Sequence, residues 1–202
     1  FRDALGVKLN GLGYSEIMNF SFIGQKLIEK LNLPADDWRN KPLMLLNPLG
    51  EDTRIMRPSL APSMLQTLAL NMNRGNARAW LYEIAAVFDP NRPTAENLPT
   101  ETPTLCMGMY GGGADFYTLR SAVQALLEGF GVKAEIVPGG ENYHHPGRCA
   151  KLIAGGQVLA VLGEVHPDVR EAFEMPERAL IAEVDLSLVR SLAVPMGDVK
   201  PL

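Results

Sequence analysis

The sequence predicts an α+β fold, a mainly antiparallel sheet covered by helices, and three observations predict it. Residues 150–153 and 158–162 are apolar segments joined by Gly155-Gly156-Gln157, the pattern of a β-hairpin. Two longer segments, 60–74 and 116–130, repeat apolar residues at helical spacing. Strands in neighbouring pairs with helices between them are typical of a sheet that buries one or both faces under helices.

The composition is that of an ordinary globular protein. Hydrophobic residues make up 47% of the 202 residues and charged residues 21%, which excludes wholesale disorder and a collagen-like repeat. No apolar run approaches the roughly 20 residues that a membrane span needs. We therefore expect a soluble domain that buries a core without disulfides.

The net charge and the cysteine content argue against two kinds of protein. The formal net charge of −4 argues against a free-standing nucleic-acid binder, which normally shows a basic excess. Cys106 and Cys149 have no spacing typical of a zinc site. A reducing cytoplasm fits this composition best.

The chain opens with a predicted helix over residues 1–12, where Leu5, Leu9 and Leu12 recur at helical spacing before Gly13. Because Phe1 is not an initiator Met and already lies in this helix, we expect a piece of a longer polypeptide. The elements predicted next are a strand over 14–22, a short helix over 25–31, a polar loop over 35–42 and a short buried strand over 43–46.

The strongest helical pattern covers residues 60–74. Ser59 is the predicted N-cap and Gly75 stands where a C-terminal cap is expected. Alternation then predicts a strand over 80–88. The proline-containing segment 91–103 is expected to be a long surface loop.

The second half continues with a strand over 104–110, a Gly111-Gly112-Gly113 turn and a helix capped by Asp115. The remaining predicted elements are a strand over 132–137, the hairpin, a short helix over 167–173 and a last strand over 179–184.

Glu83 is the most unusual residue of the predicted strands. It lies among Leu81, Ala85 and Val87, where a carboxylate is costly unless it is partnered. It is either a buried partner of an arginine or a carboxylate that binds a ligand.

The histidines offer a metal-site interpretation. A metal-dependent hydrolase would use His144, His145, Glu164 and His166. Adjacent histidines point in different directions on an extended chain, and the spacing matches no familiar site. Because His145 and His166 both precede proline, a loop entry or a helix cap is the favoured interpretation.

Several short blocks follow one another in a specific order. They are Asn47-Pro48-Leu49-Gly50-Glu51-Asp52, Met56-Arg57-Pro58-Ser59-Leu60, Asn71-Met72-Asn73-Arg74-Gly75, Tyr82-Glu83-Ile84, Ala114-Asp115-Phe116-Tyr117-Thr118-Leu119-Arg120, His145-Pro146-Gly147-Arg148, Leu162-Gly163-Glu164-Val165-His166-Pro167 and Glu183-Val184-Asp185-Leu186. Over essentially the whole chain, this series resembles the catalytic-like core of the bacterial phenylalanyl-tRNA synthetase beta subunit.

The resemblance implies a class II synthetase-like antiparallel sheet flanked by helices, formed by a single domain over residues 1–202 of a longer beta chain. It also implies a non-catalytic role. The alpha subunit would carry the active site in an (αβ)2 assembly that uses ATP, Mg and tRNA(Phe), while this fragment binds no cofactor itself.

The chain departs from the class II pattern where that pattern binds ATP. Asp89-Pro90 follows Phe88 where the second motif normally has an arginine, and Arg190 has no glycine cluster before it. Asn19 stands where the first motif usually has proline. Losing such charge stabilisation costs several kcal/mol, so we expect no activation chemistry.

By the same resemblance, residues 1–22 form the first motif, which builds subunit interfaces. The interface candidates are Leu5, Leu9, Leu12, Tyr14, Phe20 and Phe22. The region 60–74 is expected to contribute as well, although its stripe suits an internal core equally. An exposed interface would also favour self-association of the isolated fragment. The alternative function is residual binding of ATP or an amino acid through Glu83 and either Arg57 or Arg78.

Overall fold

The computed structural model describes residues 1–96 and 98–194, and nine strands, six α-helices and two short 3-10 helices lie within those ranges. The strands are β1 (Ser15–Glu16), β2 (Phe22–Ile23), β3 (Ile55–Met56), β4 (Ala79–Pro93), β5 (Pro99–Tyr110), β6 (Glu135–Pro138), β7 (His144–Ala154), β8 (Gln157–Val165) and β9 (Leu180–Asp185). The helices are α1 (Arg2–Gly11), α2 (Gln25–Glu29), α3 (Ala61–Asn73), α4 (Phe116–Glu128), α5 (Pro167–Ala172) and α6 (Leu186–Leu192).

Seven strands form one sheet in the order β1-β4-β5-β9-β8-β7-β6. Every pairing in it is antiparallel except β1 with β4, so the sheet is mixed. β2 and β3 form a separate two-stranded ribbon. The predicted α+β class is confirmed, and among the described residues no helix is long and apolar enough to cross a membrane.

Helices cover both faces of the sheet. On one face α1, α4 and α6 bury residues such as Leu5, Leu119 and Val189 against the strands. On the other face α3 and α5 bury residues such as Met64 and Val169. Because successive strand residues point to opposite faces, each central strand contributes to both cores.

The predicted bounds of α3 are correct to within one residue, but its N-cap is Leu60, which makes no side-chain cap hydrogen bond, and not the predicted Ser59. The Ala61 N–H donates to Ser59 Oγ at 3.0 Å, which satisfies a free donor of the first turn. Gly75 follows the helix with φ +79°, the left-handed conformation that glycine adopts most readily. Asp115 caps α4 as predicted, since its Oδ1 accepts from the Thr118 N–H at 2.6 Å.

Two predictions for the first quarter of the chain are wrong. The segment 14–22 is not one strand: β1 joins the main sheet and β2 joins the ribbon. Between them the Asn19 N–H donates to Glu83 Oε1, which holds this stretch beside β4. Residues 43–46 are not a buried strand either, since Met44 makes one isolated bridge to Ile55 and its side chain is exposed.

The segment 91–103 is largely strand rather than loop. β4 continues to Pro93 and β5 begins at Pro99, so the two strands form a long hairpin. The predicted strand over 132–137 begins only at Glu135. α6 was not predicted as an element, although Asp185 caps it by accepting from the Ser187 and Leu188 N–H groups. Residues 195–202, which end the predicted single domain, lie outside the described part of the chain.

Candidate functional site

Two carboxylates flank a thiol in one row across the sheet. Glu83 on β4 is paired in register with Cys106 on β5, and Cys106 is paired with Glu183 on β9. Paired residues of neighbouring strands point to the same face. The three side chains therefore lie side by side beneath α3.

Glu83 is held by groups of the same chain. Its Oε1 accepts from Arg57 Nη1 at 2.8 Å and from the Asn19 N–H at 3.1 Å, and its Oε2 accepts from Asn19 Nδ2 at 2.8 Å. Arg57 also donates through Nε to the Ala86 carbonyl oxygen at 3.0 Å. Glu83 is therefore the buried partner of an arginine, Arg57.

Glu183 is equally well provided with donors. Its Oε1 accepts from the Leu60 N–H at 2.8 Å, and its Oε2 accepts from the Tyr143 hydroxyl at 2.7 Å. Ser59 Oγ lies 3.0 Å from each carboxylate oxygen. The carboxylate thus binds at the beginning of α3, where the helix dipole favours negative charge.

Two side chains beside these carboxylates, the Cys106 thiol and the Tyr143 phenol, stay uncharged. Burial, and then the negative charges of Glu183 and Glu83, raise the pKa of the Cys106 thiol. Burial and Glu183 likewise raise the pKa of Tyr143. Both groups therefore act as a thiol and a phenol at neutral pH, and Tyr143 serves as a hydrogen-bond donor.

A second polar cluster lies beside the row. Arg39 forms ion pairs with Asp37, at 2.7 Å, and with Glu141. The hydrogen bond from Arg39 lowers the pKa of Asp37. His144 Nδ1 accepts from the Glu141 N–H at 3.1 Å, and burial lowers the pKa of His144 to about 4.

An open cleft of about 390 Å³ borders these groups. Asp89, Arg92 and Asp185 line it together with Arg39. Asp89 occupies the position at which the class II resemblance implies an arginine. Arg39 is already paired with two carboxylates. Arg92, the other cation of this lining, forms no ion pair with the described residues.

Arg78 and Arg190 do not line this cleft. Arg78 is exposed just before β4, against Gly112. Glu83 lies five residues further along the extended chain, or about 17 Å away. Arg190 borders a different cavity, together with Arg2.

The interface candidates divide into two groups. Leu5, Leu9 and Tyr14 are buried in the core of the domain itself, so their side chains are unavailable to a partner. Leu12, Phe20 and Phe22 are exposed. The apolar stripe of α3 packs on the sheet, which makes the internal interpretation of region 60–74 the correct one.

The residues of the metal-site interpretation have separate local roles. His166 Nδ1 accepts from the Asp168 N–H as a helix cap, and His145 Nδ1 accepts from the Gly147 N–H. Glu164 is paired with Arg148. Among the described residues, no three His, Cys, Asp or Glu side chains are grouped as metal ligands.

The sequence analysis missed Glu183, Tyr143 and Asn19 as members of the polar row. A signal for Glu183 was present, because it interrupts the apolar strand 179–184 as Glu83 interrupts its own. No local signal marks Asn19 or Tyr143. Their roles arise from contacts between segments far apart in the chain.

The chain is similar in sequence to subunits of a known tRNA ligase. The chain is 38% identical over 190 residues to a phenylalanine–tRNA ligase beta subunit from Clostridium acetobutylicum, covering 93% of this chain and 24% of the relative. A second such subunit, from Moorella thermoacetica, is 34% identical over 199 residues, covering 94% of this chain and 25% of the relative. The chain thus spans about a quarter of the length of these relatives.

The fold is also similar to that of a solved synthetase. The crystal structure of pyrrolysyl-tRNA synthetase from Desulfitobacterium hafniense matches with a TM-score of 0.75 at 16% identity, covering 94% of this chain and 66% of that one. This likeness shows that the sheet with its flanking helices has the same fold as that synthetase. A family model described as the phenylalanyl tRNA synthetase beta chain CLM domain matches residues 1–186, so the chain belongs to that family.

Proposed function

We propose that this domain is a non-catalytic structural module of a phenylalanine–tRNA ligase beta subunit. It packs on the catalytic alpha subunit in an (αβ)2 assembly. That assembly charges tRNA(Phe) with phenylalanine in the cytoplasm, using ATP and Mg at the alpha subunit.

The observation that carries this proposal is the saturated polar row. Arg57 and Asn19 supply three hydrogen bonds to Glu83, and Ser59, Leu60 and Tyr143 surround Glu183. A substrate would have to displace these internal partners and leave buried charges unpaired, which is strongly unfavourable. The face therefore stabilises the fold instead of binding a ligand.

The charge of the adjacent cleft supports the same function. ATP activation needs cations placed against the phosphates. Here Asp89 and Asp185 face the cleft and Arg39 is committed to Asp37 and Glu141, so among the described residues Arg92 is the one cation of the lining that opposes the two aspartates. Carboxylates at these positions repel a triphosphate.

The exposed apolar residues support a role in packing against a partner. Val7 on α1 and Phe20 after β1 are 73% and 82% exposed. Apolar side chains as exposed as these lose contact with water when a partner covers them, which favours association. We assign the exposed side of α1 and the Phe20–Phe22 stretch to the contact with the alpha subunit.

Two measurements test the proposal. Isothermal titration of the domain with ATP, and separately with phenylalanine, should show no saturable binding. Co-elution of the beta chain with the alpha subunit on a sizing column should give a stable complex. Saturable ATP binding that disappears in Arg57→Met would instead favour the residual ligand site at Glu83 and Arg57.

A further inference from the structure

The segment between β1 and β2 has an irregular backbone and little apolar burial. Met18 and Phe20 are 86% and 82% exposed, and Ile17 before them is half-buried. A side chain that stays in water gains nothing from the hydrophobic effect. Apolar packing therefore contributes little to the conformation of residues 18–20.

Polar contacts of Asn19 replace that packing. Its backbone N–H donates to Glu83 Oε1 at 3.1 Å, and its Nδ2 donates to Glu83 Oε2 at 2.8 Å. Its Oδ1 accepts from Thr67 Oγ1 at 3.1 Å. The segment is thus connected through one residue to β4 on one side and to α3 on the other.

Arg57 contacts the carbonyl oxygens of the same segment. Its Nη1 lies 3.4 Å from the carbonyl oxygens of both Asn19 and Phe20. Its backbone N–H donates to the Ser21 carbonyl oxygen at 3.0 Å. Three successive carbonyl oxygens are therefore contacted by one arginine, and this arginine is the cation paired with Glu83.

The two charges that hold the segment are themselves buried. Arg57 and Glu83 are each 3% exposed, while the residues that they contact flank exposed apolar side chains. Hydrogen bonds to a charged group are stronger than those between neutral groups, and low local polarity strengthens them further. The buried pair can therefore order a surface segment that has little packing of its own.

We propose that the Arg57–Glu83 pair fixes the exposed segment 18–21 in one conformation, with Asn19 as the positioning residue that joins the segment to the pair. A segment held in this way loses little conformational freedom when Met18 and Phe20 contact another surface. The inference does not depend on the proposed function, because it concerns contacts within this chain.

Amide hydrogen exchange of the full beta chain that carries this domain tests the proposal. Asn19→Ala should speed exchange in residues 17–22 at least tenfold, because alanine keeps the backbone N–H and loses both side-chain contacts. Exchange in β5 and β9 should stay at the wild-type rate, since local opening does not require the core to open. Asn73→Ala is the matched control: Asn73 Nδ2 donates to the Glu174 carbonyl oxygen at the end of α3, so its loss should leave residues 17–22 unchanged.

Asn19→Ser is measured in parallel in case Asn19→Ala disturbs folding. Serine also lacks the amide that reaches Glu83 Oε2, so the same local increase in exchange is expected. Wild-type exchange in residues 17–22 of both variants would overturn the inference. An increase of equal size in β5 and β9 would overturn it too, because Asn19 would then stabilise the whole domain and not this segment.

Discussion

Arg57 Nη1 lies 2.8 Å from Glu83 Oε1, and each of the two side chains is 3% exposed. The pair connects the segment after β3 to the middle of β4. Arg57 also hydrogen-bonds the Ala86 carbonyl oxygen, while its own carbonyl oxygen accepts from the Phe88 N–H. The pair thus attaches the outer edge of β4 to the chain that crosses it.

Arg57→Met should lower the free energy of unfolding by about 3–5 kcal/mol, because it leaves the buried Glu83 carboxylate without its cation. Urea denaturation of the domain measures this. Arg54→Met is the matched control, since Arg54 pairs with Glu51 on the surface and such pairs contribute about 1 kcal/mol or less. Equal losses in the two variants would contradict the stabilising role of the buried pair.

His144 should make stability depend on pH. Burial lowers its folded pKa to about 4, while the unfolded value stays near 6.5. Between these values the unfolded chain binds a proton that the folded chain does not. The stabilising contribution is therefore complete above pH 6.5 and falls as pH drops towards 4, by roughly 3 kcal/mol in all.

Denaturation midpoints measured from pH 7.5 to pH 4 test this dependence. His144→Asn should flatten the curve, because the amide oxygen can still accept from the Glu141 N–H without titrating. His145→Asn is the control and should keep the wild-type slope. If His144→Asn keeps that slope too, another group is responsible.

Val7→Glu should weaken association with the alpha subunit about tenfold, since it places a charge on the exposed side of α1 and leaves the Leu5 and Leu9 core untouched. Titration of labelled alpha subunit by sedimentation velocity measures the change. Association as strong as that of the wild type would remove α1 from the interface.

Gly108→Ala should destabilise the domain by about 1–3 kcal/mol, because a Cβ there would lie 2.7 Å from Met64 Cγ and Sδ in the tightly packed contact of β5 with α3. Thermal denaturation is the measurement. Gly11→Ala in α1 meets no atom within 4 Å and should be neutral or slightly stabilising. A loss in Gly11→Ala as large as that in Gly108→Ala would argue against a packing effect.

The sequence was most informative where structure is local. The Gly155-Gly156-Gln157 turn, the cap at Asp115 and the apolar stripe of α3 each depend on residues a few positions apart, and each prediction is confirmed. It was least informative where distant segments decide the structure. The hairpin of β4 and β5 continues through prolines because each strand has the other as its partner.

The candidate site shows the same difference between local signals and contacts made by distant segments. The cost of burying a carboxylate alone singled out Glu83 and indicated that an arginine would pair with it or a ligand would bind it. Choosing between these needed the positions of Arg57 and Asn19, which are 26 and 64 residues away in sequence.

The sequence by itself determined the fold class and the family, because these follow from residue order and local pattern. Only the tertiary structure decided which apolar residues are core and which are surface. Leu5, Leu9 and Phe20 are all large apolar residues of the same amino-terminal segment, yet the sheet and α4 bury the first two and leave Phe20 exposed. Burial depends on which elements pack against a residue, and packing is set by contacts between segments far apart in the chain.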